Sequence, residues 1–267
     1  MVNKLIEMIR DSKNTFIVQK ILDNWRQFLI DMGNSFISFR HAELFVNRTT
    51  DIVCNFANCV VLPYHSAIEF GNLLRDVSYF YKSNNFVAYA VQWNNKLSSL
   101  PAVGNRCSLA VFQGTPSLKS TEFKVVKLAT ADAAIFADIV FRSHEYDQKF
   151  KKDSERLYHS GMISGRVHLY AVLAGNAFVG GALTHRDRNG MSIRLVNTIP
   201  EFRSRGVATF LVSYLVDEGI ERGDELIWLY TRKGSEAERL YSKIGFSSKY
   251  EMNVIRNNSV LQGDKAI

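Results

Sequence analysis

The sequence predicts a layered α+β fold built on a mixed β-sheet, and three observations carry that prediction. Two tight-turn sequences, Ala174-Gly175-Asn176 and Asp187-Arg188-Asn189-Gly190, join three strand-like segments between Arg166 and Ile199. Beyond them strands and helices alternate, the pattern of crossover connections. Ahead of both, Ile17, Ile21, Leu22, Trp25, Phe28, Leu29 and Met32 form one apolar stripe at helical spacing.

That stripe predicts a helix within the first 33 residues, with Asn14 and Thr15 offering caps. Strands are expected at Ser35–Phe39 and Ile52–Leu62, a helix at Tyr64–Lys82, a strand at Phe86–Gln92, a short helix at Asn95–Val103 and a strand at Cys107–Phe112. The segment 114–121 is rich in turn-forming residues and lacks periodicity, so it reads as a linker. It divides the chain into an N-terminal α/β domain, 1–118, and a second domain, 119–267.

The second part opens with a strand at Phe123–Leu128 and a helix at Thr130–Arg142, capped by Thr130 or Asp132. A charged segment runs from His144 to Ser160, followed by strands at Arg166–Leu173, Ala177–His185 and Met191–Ile199. A helix at Gly206–Arg222 precedes the apolar strand Leu226–Thr231. Ser235 and Glu238 form a capping box for a helix to Ile244, and Ser247–Ile255 closes the sheet. The order strand, long helix, strand, short helix, Gly, strand occurs twice at an offset of about 140 residues, which makes the first half a decayed copy of the second.

Composition bounds the function more than it defines it. Hydrophobic residues make up 46% of 267 and charged residues 22%, a globular balance. A net charge of +7 favours anionic partners, but no aromatic-interleaved basic stripe points to nucleic acid. Cys54, Cys59 and Cys107 form no Cys-x-x-Cys pair, and the six histidines show no zinc spacing, so no metal is expected. Neither a signal peptide nor a membrane-spanning run is evident, and the expected location is cytoplasmic.

The segment Thr198–Thr209 leaves a strand, turns and enters a helix. The first N–H groups of a helix lack internal acceptors and lie at the positive end of its dipole. Gly206 lets the chain pass close to a ligand, so the amides from Arg205 to Thr209 form an anion cradle suited to a pyrophosphate, flanked by Arg203 and Arg205.

The stretch Arg203-Ser204-Arg205-Gly206-Val207-Ala208 resembles the Arg/Gln-x-x-Gly-x-Gly/Ala signature of the GNAT superfamily of acyl-CoA N-acyltransferases. Downstream, Ala237 to Phe246, with Leu240, Tyr241 and Gly245, is similar to the family's second signature, Ala-x-x-Leu-Tyr-x-x-x-Gly-Phe. The resemblance covers about residues 123–256 and extends to bacterial two-part GNAT proteins with a degenerate first half.

It implies acetyl-CoA as co-substrate and transfer of the acyl group to a primary amine, on a small molecule or a protein, by direct attack. Arg203, Ser204, Arg205, Gly206, Val207, Ala208 and Thr209 would hold the pyrophosphate. Val196, Asn197 and Thr198 would pair with the pantetheine arm, and Tyr241 would protonate the departing thiolate.

Two departures stand out. The strand Gly190–Ile199 lacks the carboxylate that many members use as base, and Gly234 replaces a frequent asparagine. Glu145, Asp147, Asp153 and Glu155 are the alternative base or amine-binding candidates. The missing carboxylate also leaves open a catalytically weak CoA-binding protein. The N-terminal half lacks the loop and carries Leu100 where the repeat places Tyr241, so it is expected to wall the acceptor site, shield the sheet or form a homodimer.

Overall fold

The structure, a computed structural model, describes residues 2–39, 42–46, 59–62, 87–92, 105–115, 122–144 and 146–256. The helices expected at 64–82 and 95–103, the strand stretch 52–58, Leu100 and Glu145 lie outside these residues, as does most of the linker.

Helix α1 spans Val2–Asp31 and runs straight through Asn14 and Thr15, so neither caps it. It is followed by β1 (Ser35–Phe39), β2 (Ala42–Val46), β3 (Cys59–Leu62), β4 (Val87–Gln92) and β5 (Asn105–Phe112). The strand β2 was not expected, because Glu43 interrupts a short apolar run and hides its period. Then come β6 (Phe123–Lys127), a 3₁₀ turn at Thr130–Asp132, α2 (Ala133–His144), a second 3₁₀ turn at Gln148–Phe150 and α3 (Lys151–Ile163). The strands β7 (Val167–Ala174), β8 (Ala177–Asp187) and β9 (Gly190–Thr198) form the expected meander. Helix α4 (Val207–Glu221), strand β10 (Ile227–Arg232), helix α5 (Glu236–Ile244) and strand β11 (Phe246–Arg256) complete the fold.

The described strands form one eleven-stranded mixed sheet in the order β1-β2-β3-β4-β11-β5-β10-β9-β8-β7-β6. At its centre β5 lies between β10 and β11, and β11 lies between β4 and β5, so each half of the chain inserts a strand into the other. On either side the pairing repeats: β3 runs parallel to β4, β9 runs parallel to β10, and both inner strands meet antiparallel neighbours. Val87 and Ile227, which open β4 and β10, keep the offset of about 140 residues seen in the sequence. Where β5 ends and β11 begins the backbones touch. A Cβ on Gly245 would lie 2.8 Å from the Gly114 Cα, and Gly245 also closes α5 at φ 115°.

Side chains alternate across the sheet and build two cores. On β10, Trp228 and Tyr230 face the core formed with α1, α2 and α3, while Ile227 and Leu229 face the core formed with α4 and α5. The stripe on α1 is buried as expected, with Ile21, Trp25, Phe28, Leu29 and Met32 almost fully covered. Its C-terminal turn is also tied by polar contacts. Asp31 accepts hydrogen bonds from Arg166 Nε at 2.7 Å and Nη2 at 2.5 Å and from His185 Nε2 at 2.9 Å. Burial alone would raise the Asp31 carboxyl, but the Arg166, His185 and Gln27 hydrogen bonds outweigh it and hold the group well below the usual carboxylate range. His185 is fully buried and, among the described residues, has no partner on Nδ1, which suits a neutral ring; burial pushes its basicity down against the pull of Asp31.

Candidate functional site

The strands β9 and β10 pair only at their starts, Ile227 with Met191 and Trp228 with Ser192. Beyond these residues they diverge, and the sheet opens along β9 from Ile193 to Thr198. A register shift against β8, between Gly181 and Leu183, bulges the strand at this point, with Leu195 at φ 48°. Val196, Asn197 and Thr198 thus border the opening with no pairing to β10.

From Thr198 the chain makes a 3₁₀ turn at Pro200–Phe202, runs extended at Arg203, and crosses the left-handed region at Ser204 (φ 62°) and Gly206 (φ 84°) before α4 begins. Gly206 is the residue ahead of the helix, and no side chain caps it. The first helical bond is Phe210 N–H to Gly206 O at 2.9 Å. Among the described residues no acceptor meets the amides of Ser204, Arg205, Gly206, Val207, Ala208 and Thr209. Six main-chain donors at the positive end of a fifteen-residue helix constitute an anion site.

The two arginines behave differently from one another. Arg203 directs Nη2 to the Ser143 carbonyl at 2.5 Å and Nε toward Thr198 O at 3.4 Å, so it staples the loop to the end of α2. Arg205 lies over the Phe202 ring at 4.9 Å and stays exposed. Beside the mouth, a groove of about 590 Å³ is lined by Thr209, Ser213, Arg239, Leu240 and Lys243. Two basic side chains in that groove, against the single carboxylate of Glu236, suit a second anionic group on the same ligand.

Tyr241 sits on α5 in the core beneath α4, with 9% of its surface exposed and its ring edge-on to Phe246. Burial pushes its phenol up to about 12, so it stays protonated at neutral pH. The cap of α5 differs from the expected reciprocal box in one bond. Ser235 Oγ accepts the Glu238 N–H at 3.2 Å, but the Glu238 carboxylate takes the Gly234 amide at 2.6 Å.

On the opposite face, Arg194 lies in β9 at the root of the opening, only 5% exposed. Its guanidinium stacks among Trp25, Phe28, Trp228 and Tyr230 at 4.1–5.8 Å from the ring centres. Asn197 accepts a hydrogen bond from the His144 ring at 2.6 Å and donates its own amide to Leu195 O. Asp147 pairs with Lys149 and caps a 3₁₀ turn, and Asp153 pairs with Arg156, so both serve local structure.

Residues 134–246 match the model of the acetyltransferase (GNAT) family. Over these residues the chain is similar to a GNAT acetyltransferase domain. The chemistry of that family is acyl transfer from CoA. Solved structures similar in fold include a GCN5-related N-acetyltransferase from Kribbella flavida, with a TM-score of 0.64 and 14% identity over 89% of this chain and 94% of that one. A GCN5-related N-acetyltransferase from Sphaerobacter thermophilus gives a TM-score of 0.53 and 12% identity over 82% and 80%. A tandem GNAT protein from the clavulanic acid biosynthesis pathway gives 0.53 and 9% over 80% and 77%. No curated protein sequence matches significantly. Among the described residues no helix is long and apolar enough to cross a membrane.

Proposed function

We propose that this protein is an acyl-CoA-dependent N-acetyltransferase acting on a primary amine. The observation that carries the reading is a sheet opening that leads straight into an uncapped helix mouth. The amides of Ser204–Thr209 would bind the CoA pyrophosphate, and Arg239 and Lys243 would lie beside the nucleotide end. Val196, Asn197 and Thr198, free of β10, would present backbone groups to the pantetheine arm. Acetyl-CoA would supply the activated acyl carbon at the opening. Tyr241, a protonated phenol at neutral pH, would donate to the sulfur as it departs.

Residues 1–118 are read as a degenerate GNAT-like half. Helix α1 walls the acceptor side, and β4 and β5 complete the shared sheet. The working domain is 119–267. The amine would enter from the α1–α2 face, the side on which His144 meets Asn197.

Calorimetry with acetyl-CoA, followed by thiol release with spermidine, tyramine, L-lysine and an alanine-initiated peptide, tests the proposal. Binding together with turnover of at least one amine is expected. Tyr241→Phe should lower kcat by about 10–100-fold and leave acetyl-CoA affinity unchanged. A wild-type protein that ignores acetyl-CoA sinks the reading.

A further inference from the structure

The strand that borders the opening has no carboxylate, yet an amine acceptor has to lose a proton before it attacks. The structure assigns that task to His144: its Nδ1, left bare while Nε2 donates to Asn197 at the border of the opening, takes the proton from the acceptor ammonium. This assignment rests on the transferase reading above.

The ring orientation follows from two bonds. The Asn197 side-chain amide nitrogen donates to Leu195 O, which leaves Oδ1 as the atom facing His144. An amide oxygen only accepts, so Nε2 carries the hydrogen and Nδ1 of the neutral ring keeps a free lone pair. The ring stacks on Tyr146 at 4.9 Å between centres and 14° between planes, which fixes its plane. His144 is the last residue of α2, and the adjacent Ser143 carbonyl is stapled to Arg203 of the anion loop. The imidazole is therefore tied both to the bulged strand and to the helix mouth.

The charged neighbours favour a neutral ring. Partial burial lowers its basicity, the Asn197 bond raises it and the Arg203 charge lowers it, with a net fall below the ordinary histidine value. On its own helix the nearest charge, Arg142, is paired with Asp138 at 3.7 Å. The residue is nonetheless exposed at the surface, so a substrate can reach it. His144 ends α2 on one face of the sheet and Tyr241 belongs to the α4–α5 core on the other, so the proton acceptor and the proton donor lie on opposite faces of the sheet.

The proton balance closes. The ammonium gives one proton to Nδ1 and thence to water, and its lone pair forms the C–N bond. The C–S bond breaks, and the sulfur takes a proton from Tyr241. The second proton leaving the amine nitrogen restores the phenol.

Two measurements test the assignment. Long-range proton–nitrogen correlation NMR at neutral pH should show His144 with a bare Nδ1 and a protonated Nε2, and Asn197→Ala should mix the tautomers. In steady-state assays with the fastest amine of the panel, His144→Gln should lower kcat/KM about 100-fold. Its acetyl-CoA affinity by calorimetry should stay unchanged, and the acidic limb of the pH profile should disappear. Trifluoroethylamine, already neutral at that pH, should lose far less, and imidazole should restore His144→Gly. A wild type that fails to bind acetyl-CoA, or transfers to no amine, overturns the transferase reading and this role with it. A protonated Nδ1, or a His144→Gln variant matching an active wild type, overturns the His144 assignment alone.

Discussion

The helices α4 and α5 each follow a strand of the same sheet, yet their N-termini are finished in opposite ways. At α5, Ser235 and Glu238 satisfy the amides of Glu238 and Gly234 from within the protein. At α4, Gly206 offers no side chain, Ser204 accepts a left-handed backbone, and six amides meet no acceptor among the described residues. A helix end that the chain caps is finished structure; one it leaves uncapped at the cost of a strained residue is reserved for something else.

The contrast can be broken most severely by making α4 resemble α5. Gly206→Asp places a carboxylate at the mouth, in a left-handed backbone that aspartate tolerates. It should weaken acetyl-CoA binding by about 100-fold or more, read by calorimetry, with little change in melting temperature. Arg203→Met removes the staple to Ser143 and Thr198 without touching the amides. A loss of about 10-fold in acetyl-CoA affinity is expected, of the size of one charged hydrogen bond. The mirror experiment, Ser235→Ala, should cost about 1 kcal/mol of stability in denaturant titration and leave acetyl-CoA affinity intact.

The smallest effect separates the mouth from the distant α1 anchor. Asp31 is acidified in the folded state, and His185 is less basic there than in the unfolded chain. Both contributions are complete above the ordinary histidine range and are lost as pH falls, first through His185 and then through Asp31. A melting series should therefore show a modest decline with acidification, whose more acidic part, from Asp31, is missing in Asp31→Asn while the part from His185 remains.

How much of this was legible in the sequence depended on how local each feature is. The mouth of α4 could be read because a strand end, a glycine and a helix start lie within a dozen residues, and the hairpin turns announce themselves in the same way. The stripe of α1 was equally plain, but its anchor was not: Asp31 meets His185 across 154 positions of chain. His144 passed as one histidine among six, because its significance comes from Asn197, 53 residues later. Arg203 was expected to flank the anion, and only the proximity of α2 shows it acting as a staple. The swap of β5 and β11 has no local signal; the sequence repeat carried the succession of strands and helices in each half but not which half each inner strand joins.

That swap fixes when the molecule can be finished during synthesis. Until β11 leaves the ribosome, β4 and β5 wait with unpaired edges on the two sides of a slot, and β10 lacks the lasting support of its neighbour. Among the described strands the last made is thus the keystone between the two halves, and the nascent chain carries a sticky sheet edge from the completion of β5 until β11 emerges.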